Sequence, residues 1–215
     1  MSEFDVDKID KEPVENGADT TADIPETPTA SPKKKSGFIK GLVEQIELIV
    51  VAFAIIIVVF SFMFRTCEVS GASMENTLYD TETVLISNVF YSPKRNDIIV
   101  FHQTGKYNEP IVKRVIGLPG DTVKIEYFES SMKVTVTDSN GESTVLNEDY
   151  IKYEDRGYYT NSVTYVEEDT VFVMGDNRRI SADSRSEDIG LVDTRRILGR
   201  VVVRLTPFSK FGKIN

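Results

Sequence analysis

Seventeen consecutive residues, Leu48 to Phe64 (LIVVAFAIIIVVFSFMF), carry no charge. Crossing a hydrocarbon core of about 30 Å takes roughly 20 apolar residues at about 1.5 Å each. Ile46 and Glu47, placed at the interface, bring this segment close to that length. A helix that is apolar on every side is buried in protein or in lipid, and a transmembrane anchor over 41–65 is the expectation. Lys33, Lys34, Lys35 and Lys40 precede the run, whereas only Arg65 follows it closely. Positive charge favours the inside, so residues from about 66 onward are expected outside a cell membrane crossed once. Ser70-Gly71-Ala72 is a small-x-small pattern, which raises a removable signal peptide as an alternative. A signal peptide has an apolar stretch of roughly 7–15 residues behind a short basic start. The long acidic leader and longer apolar run favour a retained anchor.

That leader, residues 1–32, holds nine acids and two lysines, which is −7 of the chain's net charge of −9. Rich in Asp, Glu, Thr and Pro and without apolar periodicity, it cannot bury enough surface to fold. It reads as a disordered tail within a 1–40 segment whose basic end meets the membrane. The remainder is nearly neutral, so nothing argues for nucleic acid, which attracts a strongly basic face. One cysteine, Cys67, excludes an internal disulfide, and one histidine, His102, excludes two-histidine metal chemistry. No metal or cofactor is expected.

Beyond the anchor the pattern changes to short β-branched segments with turns between them. The predicted strands are Thr83–Ser87, Asp97–His102, Ile111–Ile116, Thr122–Phe128, Met132–Thr137, Thr144–Leu146, Thr170–Met174 and Gly199–Leu205. Asn140-Gly141 predicts a two-residue hairpin turn with both central φ angles positive. Residues 66–215 are therefore expected to form one mostly β domain, sandwich- or barrel-like.

Three polar clusters interrupt this pattern: SGASMENTL, VKRVIGLPGD and MGDNRRISADSR. In the first, Ser73 is flanked by small residues. In the second, Lys113 lies in an apolar strand; if Arg114 faces water, period two turns Lys113 inward, where lysine is rare unless paired or useful. Serine becomes a nucleophile when a base takes its proton, and lysine is a base only when neutral. At an unperturbed pKa of about 10.4, roughly one lysine in 2,500 is neutral at pH 7. Burial shifts a lysine down by as much as about 3–5 units, so apolar walls suffice, provided that no Asp or Glu touches the amine. Two other readings stand beside this Ser–Lys dyad. Lys113 is then an edge-strand lysine and Ser73 a turn residue, or Ser73 works with His102 and Asp97, which a strand would put on opposite faces.

The clusters resemble the motif boxes of bacterial type I signal peptidases (leader peptidases). SGASMENTL is similar to the family's Ser-Met-x-Pro-Thr-Leu box, and RNDIIVF (Arg95–Phe101) to its Gly-Asp-aliphatic-aliphatic-x-Phe box. KRVIGLPGD (Lys113–Asp121) and MGDNRRISADSR (Met174–Arg185) are near-complete matches, and the likeness covers roughly Phe60 to Pro207. The resemblance implies a membrane-anchored serine endopeptidase that removes signal peptides from exported preproteins after small-x-small sites, with preproteins and membrane lipid as partners. It implies Ser73 as nucleophile, Lys113 as general base and Ser181 as the hydroxyl orienting the amine. Asp183 and Arg185, with Asp176 and Arg178, would support the site through ion pairs. Arg114 would be structural, and Met74 would pack near the nucleophile and a membrane-facing apolar surface. Two positions depart from the pattern. Asn76 stands where proline is usual, and Gly71 where some members carry a serine that helps hold the oxyanion, leaving that task to the Ser73 N–H. A narrower processing peptidase of the same family and a non-catalytic membrane-bound binding module are the alternative functions.

Overall fold

The computed structural model describes residues 35–103, 107, 109–128, 131–151 and 160–214, so the acidic tail lies outside the described residues. The chain divides into two compact units, Met1–Leu48 and Ile49–Asn215. The described part of the first is helical, and the second begins within the same helix, α1 (Lys35–Met63). Isolated β-branched residues are indifferent helix formers. In lipid, however, a single span must satisfy every backbone group within itself, which only a helix does. Residues Gly37–Met63 are long and apolar enough to cross a membrane, and protein covers none of their most apolar stretch. Ser61, the one hydroxyl in the run, returns its Oγ–H to the Ile57 carbonyl at 2.8 Å. The helix stops at Met63; Phe64 and Arg65, placed in the anchor from the sequence, are already extended.

The rest of the second unit is β-rich, as the turn-punctuated segments imply. In chain order its strands are β1 (Phe64–Glu68), β2 (Thr83–Ser87), β3 (Ile98–Phe101), β4 (Ile111–Gly117) and β5 (Thr122–Tyr127). These are followed by β6 (Met132–Thr137), β7 (Ser143–Val145), β8 (Ser162–Tyr165), β9 (Thr170–Met174), β10 (Val192–Asp193) and β11 (Ile197–Thr206). A seven-stranded antiparallel sheet runs β1-β2-β11-β3-β4-β9-β10, and a four-stranded one β7-β6-β5-β8. Alternation distributes side chains between the cores. In β3, Ile98 and Val100 enter one buried cluster while Ile99 and Phe101 enter another. In β9, Val171 and Val173 join the second, and Phe172 and Met174 a third beneath the smaller sheet.

Covering both faces of the large sheet changes one expectation. Strand β4 lies between β3 and β9, and every residue from Val112 to Gly117 is buried. Arg114 therefore does not face water: it is 2% exposed, against 3% for Lys113. The Asn140-Gly141 turn differs too. Five residues, Asp138–Glu142, join β6 to β7, and only Gly141 has a positive φ, 85°. The Asp138 carboxylate accepts from the N–H groups of Asn140 and Glu142, both at 2.9 Å, which fixes a longer loop.

Candidate active site

The loop between β1 and β2 carries Ser73. At its base the Val69 N–H donates to Glu82 at 2.8 Å and the Thr81 N–H returns to Val69 at 2.9 Å. Within it, the N–H groups of Thr77 and Leu78 both donate to the Met74 carbonyl, forming a single helical turn. Met74 and Leu78 point into one core cluster, 1% and 0% exposed. Two buried anchors four residues apart share one side of that turn, which leaves the preceding Ser73 half-buried at the mouth of a cleft. Met74 is thus a core residue as well as a wall of that cleft.

A second tether comes from the segment after β9. The Asn177 N–H donates to the Ser73 carbonyl at 3.0 Å, and its side-chain amide donates to the Ala72 carbonyl at 3.1 Å. Gly175 makes this approach feasible. A Cβ there would meet Ser181 Oγ at 2.2 Å and the Ser73 carbonyl oxygen at 2.5 Å.

Lys113 reaches the same point from β4, whose register against β3 pairs Lys113 with Ile99. Its Nζ donates to Ser73 Oγ at 2.7 Å and to the Val112 carbonyl at 3.0 Å. Among the described residues no carboxylate lies within 4.0 Å of the amine. Burial pushes the ammonium down to about 8, while the fields of Asp183 and Asp176 pull it back upward. At pH 7 that leaves about one lysine in ten neutral, a gain of roughly 250-fold over a solvated one. The cleft holds about 460 Å³ and is walled by Val69, Met74, Ile111 and Val112 beside Ser73 and Lys113.

The other anticipated residues surround this pair. Asp183, fully buried, accepts from Arg185 Nε at 2.8 Å, Arg185 Nη2 at 2.9 Å and the Gly175 N–H at 3.0 Å. Burial alone would raise its carboxyl; the Arg185 pair, the Gly175 N–H and the Ser181 hydroxyl outweigh it and hold the group below its ordinary value. Ser181, 2% exposed, lies against Gly175 and beside Asp183. The second partner of the Lys113 amine is the Val112 carbonyl.

Asp176 forms its ion pair with Arg114. Arg114 clasps it with Nε at 2.8 Å and Nη2 at 2.7 Å, and Thr77 donates its hydroxyl to the same carboxylate. Arg178 pairs with Glu148, whose role in the site the sequence did not reveal. Truncating one partner of a buried pair strands the other charge. Asp176→Ala is therefore expected to lower unfolding free energy by about 3–5 kcal/mol, and the double change Arg114→Met with Asp176→Leu by much less. Denaturant unfolding of the three proteins checks this; equal losses would show that the pair carries no such cost.

The histidine alternative finds no geometry. His102 is exposed and its N–H bonds to the Arg196 carbonyl, while Asp97 accepts from the Tyr91 hydroxyl at 2.8 Å and pairs with Arg200. Neither lines the cleft that holds Ser73. Among the described residues no group of His, Cys, Asp and Glu is arranged to hold a metal ion.

A family model described as signal peptidase, peptidase S26, matches residues 42–206. Signal peptidase IB of Staphylococcus aureus strain Mu50 is 34% identical over 191 residues, covering 80% of this chain and 93% of that protein. Signal peptidase I of Bacillus amyloliquefaciens is 33% identical over 190 residues, covering 85% and 98%. A crystal structure of a signal peptidase I from Enterococcus faecalis V583 aligns with a TM-score of 0.38 at 30% identity, covering 52% of this chain and 98% of that one. With its serine and buried lysine in contact at the mouth of an apolar cleft, the chain belongs to the signal peptidase family, peptidase S26.

Proposed function

We propose that this chain cuts signal peptides from exported preproteins with Ser73 as nucleophile and Lys113 as general base. Removal of signal peptides by a serine peptidase follows from the family; the assignment of roles rests on the 2.7 Å contact between Ser73 Oγ and an amine free of carboxylate contact. Neutral Lys113 takes the Oγ proton as Oγ attacks the scissile carbonyl carbon. The oxyanion that forms needs a donor, and the Ser73 N–H, which donates to no acceptor among the described residues, is available for it. The Lys113 ammonium then protonates the leaving amine. A water molecule, deprotonated by the same amine, attacks the acyl ester carbon; the C–Oγ bond breaks, the ammonium returns its proton to Ser73 Oγ, and the new carboxylate leaves. The Arg185 and Arg114 partners keep Asp183 and Asp176 from neutralising the base's role, since each carboxylate already holds a cation.

In this reading α1 anchors the enzyme with its N-terminus in the cytoplasm and the β domain on the extracytoplasmic side. Small residues of the substrate, such as Ala, fit a cleft walled by Val69, Ile111 and Val112. The test is cleavage of a preprotein ending its signal in Ala-x-Ala by the detergent-solubilised full chain, with the new N-terminus sequenced. Cleavage after the small-x-small site is expected, unchanged in His102→Ala, with kcat/KM rising tenfold per pH unit and levelling near pH 8. Failure to cut any such preprotein would leave the binding-module reading; loss of activity in His102→Ala would return the base to histidine.

A further inference from the structure

The second sheet reaches across to the loop of Ser73 through a segment that no motif box contains. After β7, residues Asn147–Ile151 turn back, with the Ile151 N–H on the Glu148 carbonyl at 2.9 Å. The Asn76 side-chain amide donates to the Tyr150 carbonyl at 3.2 Å. The Tyr150 ring lies under the Arg114 guanidinium, 3.9 Å from it, and its hydroxyl donates to Glu148 Oε1 at 2.8 Å. Glu148 Oε2 in turn accepts from Arg178 Nη1 at 2.9 Å, and Arg178 Nε donates to the Gly175 carbonyl at 3.0 Å. A Cβ on Gly175 would come within 2.5 Å of the Ser73 carbonyl oxygen, and the Asn177 N–H donates to that oxygen at 3.0 Å. From Asn76 the contacts run through Tyr150, Glu148 and Arg178 to Gly175, and Asn177, two residues on, returns to the Ser73 carbonyl.

Resting on the reading of Ser73 as nucleophile, we infer that Asn76 and Glu148 are positioning residues. Together they latch the 147–151 segment onto the serine loop and so fix Ser73 Oγ against Lys113. In the Ser-Met-x-Pro-Thr-Leu box that this loop resembles, proline stands at position 76. Proline stiffens a loop from within by fixing φ; Asn76 holds the same loop from outside, by a bond to another segment. The Asn76 N–H donates to nothing among the described residues, so a proline ring at that nitrogen forfeits no hydrogen bond. Misplacing a reacting group by about 1 Å costs up to about 100-fold in rate, whereas substrate binding along the cleft walls does not depend on the latch.

The experiment measures kcat and KM for preprotein cleavage by the full chain and by Ser73→Ala, Asn76→Ala, Asn76→Pro, Glu148→Gln and Asn76→Pro with Glu148→Gln. Asn76→Ala is expected to lower kcat about tenfold with KM within about twofold, and Asn76→Pro to restore kcat to within about threefold of the parent. Glu148→Gln should cost less in the Asn76→Pro background than alone, because the internal brace makes the latch redundant. Parent-like kcat in Asn76→Ala, or an Asn76→Pro protein no faster than Asn76→Ala, overturns the latch. If Ser73→Ala still cleaves, the nucleophile assignment fails and the latch with it. If Ser73→Ala is dead while Asn76→Ala is unimpaired, the latch alone fails.

Discussion

Ser73→Ala is expected to abolish preprotein cleavage while leaving the fold intact. Removing the serine of another serine peptidase costs about 10⁶-fold in kcat, and a loss of at least about 10⁴-fold is expected here. Ser70 also lines the cleft, but the Lys113 amine donates to Ser73 Oγ and Val112 and to no other described acceptor. An unactivated hydroxyl does not replace an activated one. The structural cost is small because the tethers at position 73 are backbone bonds. The Asn177 N–H still meets the residue-73 carbonyl, and Met74 and Leu78 still anchor the turn. Only one hydrogen bond disappears, worth about 1 kcal/mol. Cleavage assays beside denaturant unfolding separate the two effects. A protein that loses activity only in proportion to stability would argue for a structural serine.

Lys113→Met is expected to be equally inactive, yet to differ in how its stability depends on pH. The folded lysine titrates at about 8 and an unfolded one at its ordinary 10.5. Below about 8 both states hold the proton, and the folded state carries the full cost of a buried ammonium. Between about 8 and 10.5 the unfolded state binds more protons, so wild-type stability rises with pH. Methionine has no such window. The stability of wild type relative to Lys113→Met should therefore improve by about 2.5 kcal/mol between pH 7 and pH 10. Tyr91 and Tyr150, pushed above the ordinary tyrosine range by burial and by Asp97 and Glu148 respectively, contribute to both proteins and cancel in the difference. The Val112 carbonyl loses its donor in the variant, which offsets part of the gain at low pH without altering the trend. A difference that stays flat across this range would mean that the amine is solvated.

The parts of this molecule legible in the sequence are those whose signal is local. Period-two alternation with flanking turns located Thr83–Ser87, Met132–Thr137 and Thr170–Met174 to the residue. Strand β1 was hidden because Phe64 continues the apolar run of the helix, and β10 because two residues carry no period. The Arg114 premise failed for a related reason. Alternation tells opposite faces apart, but not whether the second face is wet, and here β3 and β9 flank a strand covered on both sides. Ser73 and Lys113 stand 40 residues apart, and the sequence linked them through the motif boxes of a resembling family. Where no box reached, the pairing was lost. Glu148 lies 30 residues from Arg178, Tyr150 74 from Asn76, and neither leaves a local trace. The pairs Asp176–Arg114 and Glu148–Arg178 were equally invisible, because charge pairing in a folded core is decided by which strands are neighbours.

The neutral amine is best tested by following the Lys113 side chain itself. In detergent-solubilised protein carrying carbon-13 at the lysine ε position, the signal absent from Lys113→Met is titrated by NMR beside the kcat/KM profile. An inflection near pH 8, shared by the signal and the rate, is the predicted result. A Lys113 resonance that titrates near 10.5 while cleavage proceeds at full rate at pH 8 would contradict the assignment of this lysine as the base.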